Sequence, residues 1–219
     1  SADSTGFEAQ HISQYFYRQQ MRSHKPDKTL IIRKKFPKLS IIADLSSHMI
    51  FAAFGSVGPR PDVGQLAKAL ALVPPKISVD TLVADAGYDS EANHERLRHK
   101  GYRSLIPPWH GRARADGKPP RGYWRRKMFF QFKNGSPKKY RRRWQIETIF
   151  SMIKRNLSEK LRARTRHAQN RELLLKVLTH NAAILLISIA FLQSIAVTFL
   201  VGCSKSIQFR NNYTASQKQ

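Results

Sequence analysis

Apolar and polar positions along the chain change rhythm several times, and each change predicts an element. Phe7, Ala9, Ile12, Tyr15 and Tyr17 alternate with polar residues in the manner of a strand, and the basic, polar residues 18–28, with Pro26-Asp27 among them, predict a loop. Residues 39–43 (Leu-Ser-Ile-Ile-Ala) and 49–53 (Met-Ile-Phe-Ala-Ala) are two apolar runs separated by Asp44-Leu45-Ser46-Ser47-His48, which predicts a hairpin. Gly58-Pro59-Arg60-Pro61 breaks the pattern, Asp62 is placed to cap a helix over residues 63–72, and Pro74-Pro75 stops it. Residues 81–84 form a short apolar run ending in Asp85, with Gly87 just beyond: a buried strand that delivers a carboxylate to the loop at its end. A helix from Ser90-Glu91 to about Lys100, a strand over 102–106, a strong helix over 140–160 and a last helix from about Arg171 complete the pattern. The predicted class is α/β.

Length and composition set the scale. The 219 residues, 41% of them hydrophobic, suffice for one sizeable domain, alone or with a small insert. Charge changes the picture more: 39 Lys+Arg against 14 Asp+Glu leave a net charge of +25. Such an excess repels itself in a compact fold unless a polyanion is the usual partner, and basic side chains that displace counterions from phosphates make nucleic acid that partner. A ribosomal-type or merely basic protein is the plainer alternative. Residues 107–139, rich in Lys, Arg, Pro and Gly with Trp109, Tyr123, Trp124, Phe129 and Phe130 interleaved, read as a basic insert or long loop suited to phosphate contact and base stacking, or as a solvated loop.

One cysteine, Cys203, excludes an internal disulfide and any zinc-finger spacing and fits a reducing cytoplasm. The polar opening residues do not read as a signal peptide. Residues 182–201 carry no charge, which raises the question of a membrane span, although Ser188, Gln193, Ser194 and Thr198 interrupt the run. Leu174, Leu175, Leu178, Ala182 and Leu185 recur at helical spacing, so residues 182–189 are expected to be core helix and no membrane partner is expected. Residues from Gly202 onward are expected to be a disordered tail.

Residues 140–155 carry the chemistry. On a helix of about 100° per residue, Tyr140, Arg143, Glu147 and Lys154 fall within an arc of roughly 60°, beside an apolar arc of Ile146, Ile149, Phe150, Ile153 and Leu157. One carboxylate flanked by two cations and a phenol therefore adjoins the buried face. A plain i,i+4 salt bridge accounts for Glu147 less well, since a carboxylate beside a core is costly unless paired or metal-bound. Two further acids stand at predicted strand ends, Asp85 and Asp3. Three such carboxylates can hold two Mg²⁺ or Mn²⁺ ions for an in-line displacement at phosphorus.

These residues resemble the DDE transposases of bacterial insertion sequences, in the group whose third acidic motif reads Tyr-x2-Arg-x3-Glu-x6-Lys. Tyr140, Arg143, Glu147 and Lys154 match it at all four positions, Val83-Ala84-Asp85-Ala86-Gly87-Tyr88-Asp89 resembles the second motif, and Asp3-Ser4-Thr5-Gly6 the first. The likeness covers about residues 1–187. It implies an RNase H-like mixed sheet flanked by helices, spanning residues 1–189 with the basic insert before the helix that carries the third acid, and a divergent tail over 190–219. It further implies Mg²⁺- or Mn²⁺-dependent strand cleavage and strand transfer on double-stranded DNA, at terminal inverted repeats and a target, by a homodimer associated with the bacterial nucleoid. Asp3, Asp85 and Glu147 would be the catalytic, metal-binding triad, and Tyr140, Arg143 and Lys154, together with Arg141 and Arg142, would contact DNA. Members carry an amino-terminal DNA-binding region and a full first strand before the first acid, whereas Ser1-Ala2 alone precede Asp3, so the chain is expected to be a fragment.

An enzyme and a non-catalytic DNA-binding remnant differ in one feature: whether residues 1–5 pair as a central strand. A basic membrane-associated protein held by residues 182–201 is the third reading. The eight histidines show no ligand spacing, Ser4 has no visible Asp/His partners, and no phosphate-binding Gly-x4-Gly-Lys loop points to ATP.

Overall fold

The computed structural model describes residues 1–9, 35–108, 119–133 and 135–216, with side chains placed as far as Ser194. The alternating stretch beyond Ala9, the loop over 18–28 and Trp109 lie outside the described residues.

The runs of β-branched and small apolar residues form the sheet. β1 (Ala2–Gly6) pairs antiparallel with β3 (Phe36–Ala43), which pairs antiparallel with β4 (Ile50–Gly58). The β3–β4 connection through Asp44 is the predicted hairpin. Its turn is held by the Asp44 carboxylate, which accepts from Ser46 N at 3.2 Å and Ser47 N at 2.7 Å. β5 (Thr81–Val83) and β6 (Arg103–Leu105) pair in parallel, and a single parallel bridge, Ala2 to Ala84, joins them to β1. The strand order is therefore β4-β3-β1-β5-β6, with β1 in the middle. The short β2 (Glu8–Ala9) pairs in parallel with β7 (Lys160–Leu161).

Side-chain alternation along β3 builds two layers of core. Leu39, Ile41 and Ala43 face one side, where Ile146, Ile149, Phe150 and Ile153 of α5 (Trp144–Leu157) and Leu173 and Val177 of α6 (Arg166–Ser216) cover them. Ile42 and Ala2 face the other, against α1 (Leu66–Ala71), Tyr88 and Leu97 of α2 (Glu91–His99). Helices on both faces of a mixed sheet are the α/β class expected.

Several local expectations are corrected. Asp62 caps nothing: it begins a 3-10 turn, Asp62–Gly64, whose cap residue Pro61 offers no side-chain bond, and its carboxylate is engaged elsewhere. Ser90 does cap α2, accepting from Asn93 N at 3.2 Å. The stretch before the third acid is not all loop. Residues 123–133 form α3 (Tyr123–Lys133), started by the Glu91 carboxylate, which accepts from Trp124 N at 2.8 Å and Arg125 N at 3.1 Å. An anion at a helix N-terminus satisfies otherwise unpartnered N–H groups, and Gly122 leaves it room, since a Cβ there would overlap Glu91. α3 buries Met128 against Val83 and Leu105, so it belongs partly to the core. The predicted 140–160 helix is two: α4 (Lys138–Arg141) ends at Arg142, and α5 begins at Trp144. The C-terminal carbonyls of α5 are capped by the buried Lys176, which donates to Leu157 O and to Ser158 O.

One compact unit runs Ser1–His180 and the other Asn181–Gln219. In the second, the backbone continues α6 to Ser216, where a disordered tail was expected. Residues 182–189 are not core: Leu185, Leu186, Ile187 and Ile189 are 50–67% exposed, as are Phe191 and Leu192. Arg166–Ser194 contains an 18-residue window with a mean hydropathy of 1.9, long and apolar enough, by length and composition, to cross a membrane.

Candidate functional site

The site assembles around the middle strand. Asp3 lies one residue past Ala2, and Asp85 one residue past Ala84, the two residues joined by the parallel bridge, so the aspartates sit side by side, Asp3 inside β1 rather than at its expected end and Asp85 just past β5. Ser1 Oγ reinforces the seam by donating to Val83 O at 3.0 Å. Each carboxylate is oriented by the backbone that follows it: Asp3 Oδ1 accepts from Ser4 N at 2.7 Å and Asp85 Oδ1 from Ala86 N at 2.8 Å. Alternation turns Asp3 toward the α5 face, the same side as its cross-strand partner Ile41.

Arg143, in the bend between α4 and α5, links the third acid to the first. Its guanidinium lies 3.4 Å from Asp3 Oδ2 and 2.8 Å from Glu147 Oε1. Burial disfavours the Arg143 cation, but attraction to Asp85, Tyr140, Asp3 and Glu147 outweighs it and raises its pKa. Asp3 is pushed up to about 6, first by burial and further by the charges of Asp85 and Asp62, against the opposing Ser4 N–H bond and Arg143. Tyr140 is also raised, by burial first and by Asp85, with Arg143 opposing. It packs edge-on to Phe132 of α3 at 4.9 Å.

An open cleft of about 840 Å³ adjoins these groups, lined among others by Asp3, Glu147, Ser151, Lys154, Arg155 and Lys160. Lys154 stands two helical turns beyond Glu147 on α5, its ammonium 5.5 Å over the Phe7 ring. The structure thus brings Asp3, Asp85, Glu147, Tyr140, Arg143 and Lys154 together. Arg141 and Arg142 it does not: Arg141 Nε donates to Ser136 O at 3.3 Å and Arg142 to Ser46 Oγ at 3.2 Å, both away from the aspartates.

Could these oxygens hold a divalent cation? The donors are hard carboxylates, the type Mg²⁺ and Mn²⁺ prefer. The raised pKa of Asp3 means its negative charge is incompletely compensated, which a cation would correct. Among the described residues no three acid, His or Cys side chains converge as a ready-made cage, because Glu147 is held by Arg143 instead. Asp3 and Asp85 would hold such a cation, and Glu147, paired with Arg143, would join them only on leaving that pair.

The sequence reading missed Asp62 and Lys38. They pair at 2.5 Å behind β1, and Ser4 Oγ donates to Asp62 Oδ1 at 2.8 Å. A lysine inside the otherwise apolar run 36–43 was the available signal. Ser151 and Arg155, at four-residue steps from Glu147, follow from the same helical phase that singled out Lys154.

The family model for the transposase DDE domain matches residues 1–182. No curated protein and no solved structure matches the chain.

Proposed function

Because the chain belongs to the transposase DDE-domain family, we propose that it cleaves DNA at the ends of an insertion sequence and joins those ends to a target, with Mg²⁺ or Mn²⁺ as cofactor. DDE domains are RNase H-like, and the strand order with β1 in the middle agrees with that fold. The observation that carries the reading is the pairing of β1. Ala2–Gly6 is laddered to β3 along its whole length and bridged to Ala84, so Asp3 of β1 lies beside Asp85 just past β5. A remnant without a competent first strand would lack that pairing.

In this reading Asp3 and Asp85 hold the divalent ions, and Glu147 completes the set once Arg143 turns to phosphate. Such ions would supply the charge that activates a water or a 3′-hydroxyl and stabilises the leaving oxygen. Arg143, Tyr140 and Lys154 then hold the phosphates flanking the scissile bond, the planar guanidinium in bidentate fashion. The open cleft along α5 gives a duplex backbone access to the acids. Residues Ser151, Arg155 and Lys160 extend the contacts, and the net charge of +25 supplies the sequence-independent attraction. The likeness to insertion-sequence transposases adds the terminal inverted repeats as substrate and a homodimer as the working form.

The test is incubation of the chain with a duplex carrying the terminal repeats of the insertion sequence that encodes it. New 3′-hydroxyl ends at the repeat boundary and joined products are expected with Mg²⁺ and not with EDTA. Specific binding without cleavage in either Mg²⁺ or Mn²⁺ would favour the DNA-binding remnant.

A further inference from the structure

We infer that Asp62 is a positioning residue that clamps the strand carrying Asp3 to the turn following Asp85, and so sets the spacing of the two aspartates. The inference rests on the reading of Asp3 and Asp85 as cation ligands.

Two side-chain bonds converge on this one carboxylate, and its turn packs against a second turn. Ser4 Oγ donates to Asp62 Oδ1 at 2.8 Å, and Ser4 is the residue whose N–H orients Asp3. Lys38 Nζ lies 2.5 Å from the same oxygen and also donates to Arg60 O at 3.3 Å, fixing the 3-10 turn to β3. On its other side the Asp62–Gly64 turn packs against the Ala86–Tyr88 turn, which begins directly after Asp85. A Cβ built on Gly87 would stand 3.9 Å from Asp62, so the Asp62 side chain faces that turn.

The geometry explains why an acid is needed there. Ser4 alternates with Asp3 along β1, so its hydroxyl meets Asp62 on the α1 face while Asp3 faces α5. Tyr88 is buried beside it and hydrogen-bonded to Ser4, its ionisation opposed first by burial and then by the Asp62 charge. It therefore stays a neutral phenol bridging the same two segments. The seam itself is thin, with one β-bridge and one serine hydroxyl. A slip of the turn against β1 would separate Asp3 from Asp85, and Asp62 is the side chain that opposes that slip. Groups that orient metal ligands in this way change metal affinity or activity by about 10- to 100-fold when removed.

The experiment titrates Mg²⁺ alone against the full chain and follows the melting temperature, with cleavage of the terminal-repeat duplex as a second readout. Asp62→Ala should raise the half-saturating Mg²⁺ concentration about 10- to 100-fold and lower kcat with little change in KM for DNA. Asp62→Asn, which keeps an acceptor for Ser4, should recover part of the loss. A merely structural role would lower the melting temperature and leave the Mg²⁺ titration unmoved, and that result in folded Asp62→Ala overturns the inference. If Asp62→Ala does not fold, Ser4→Ala decides: a severalfold rise in the Mg²⁺ requirement supports the clamp, and a wild-type titration refutes it. Absence of any Mg²⁺ response and of cleavage in the unsubstituted chain would instead remove the ligand reading beneath it.

Discussion

Replacing Glu147 by Gln separates stability from catalysis more cleanly than any other change in this site. The side chain is 62% exposed, and its one described partner is Arg143, at 2.8 Å across a single helical turn. An exposed pair of this kind contributes about 0.2–1 kcal/mol, and glutamine is nearly isosteric, so folding should change by less than about 1 kcal/mol. The melting temperature should fall by no more than a few degrees. Catalysis should respond on a different scale. A cation ligand lost from a phosphoryl-transfer site removes both charge and positioning, at least about 10²-fold in rate, or about 2.7 kcal/mol at the transition state. The assay is single-turnover nicking of the terminal-repeat duplex in Mg²⁺, beside a urea titration of the same preparation. Loss of nicking with an unshifted unfolding midpoint is expected. Retained nicking, within about threefold of the unsubstituted chain, would refute the assignment of Glu147 as the third acid.

Without metal, Asp3 should give the protein an unusual pH dependence. Its carboxyl is raised to about 6 from 3.8, so between these values the folded state holds a proton that the unfolded state releases. Stability from this group is therefore full below about pH 4 and is lost as pH rises through 6, by at most about 3 kcal/mol. In EDTA, Asp3→Asn should raise the urea midpoint at pH 8 and leave it nearly unchanged at pH 4; equal midpoints at pH 8 would refute the burial argument. Replacing the exposed Arg121, Arg126 and Lys127 together should flatten the slope of log K against log salt for duplex DNA by about 0.9 per lost phosphate contact, and an unchanged slope places the DNA track elsewhere. Arg125 behaves differently, because it pairs at 2.7 Å with the fully buried Asp89, which His94 also meets. Arg125→Ala should cost stability, toward the lower end of about 3–5 kcal/mol, as measured by denaturant unfolding. The exposed Leu185, Leu186, Ile187, Phe191 and Leu192 should drive self-association or binding to lipid vesicles, read by sedimentation, and replacing three of them with Lys should abolish it.

Much of the fold was legible because it follows local rules. The 39–43 and 49–53 runs with Asp44 between them became a hairpin, and Ser90 capped its helix as its side chain dictates. Asp85 came at a strand end because an apolar run of four can only be buried strand at that length. The failures share a cause: each depended on a partner far away in sequence. Asp62 has the composition of a cap, and Ser4 and Lys38 claim it from β1 and β3. The helix over 123–133 looked like a loop because its first-turn acid comes from Glu91, not from its own sequence. The bend at Arg142 broke the expected single helix, yet the Arg143–Glu147 pair survives, since the i,i+4 distance lies across the start of α5. The expected apolar stripe of α6 took the wrong phase: Leu174, Leu175, Leu178 and Leu185 are exposed, and the helix reaches the core through Leu173 and Val177, which the stripe did not include. The same periodicity carried past His180 predicted burial that does not occur.

The three acids stand at positions 3, 85 and 147, and the seam that joins the first two is a single bridge. On a ribosome this order has a kinetic meaning. The middle strand is translated some eighty residues ahead of its β5 neighbour, and Arg143 and Glu147 come later still. Pairings so distant in sequence close slowly and only after the intervening hairpin exists. On the proposed function, the cutting site is therefore assembled only after most of the basic chain already exists. By the same reading, any message ending ahead of Arg143 makes a product that lacks this residue and the third acid, and so cannot cleave.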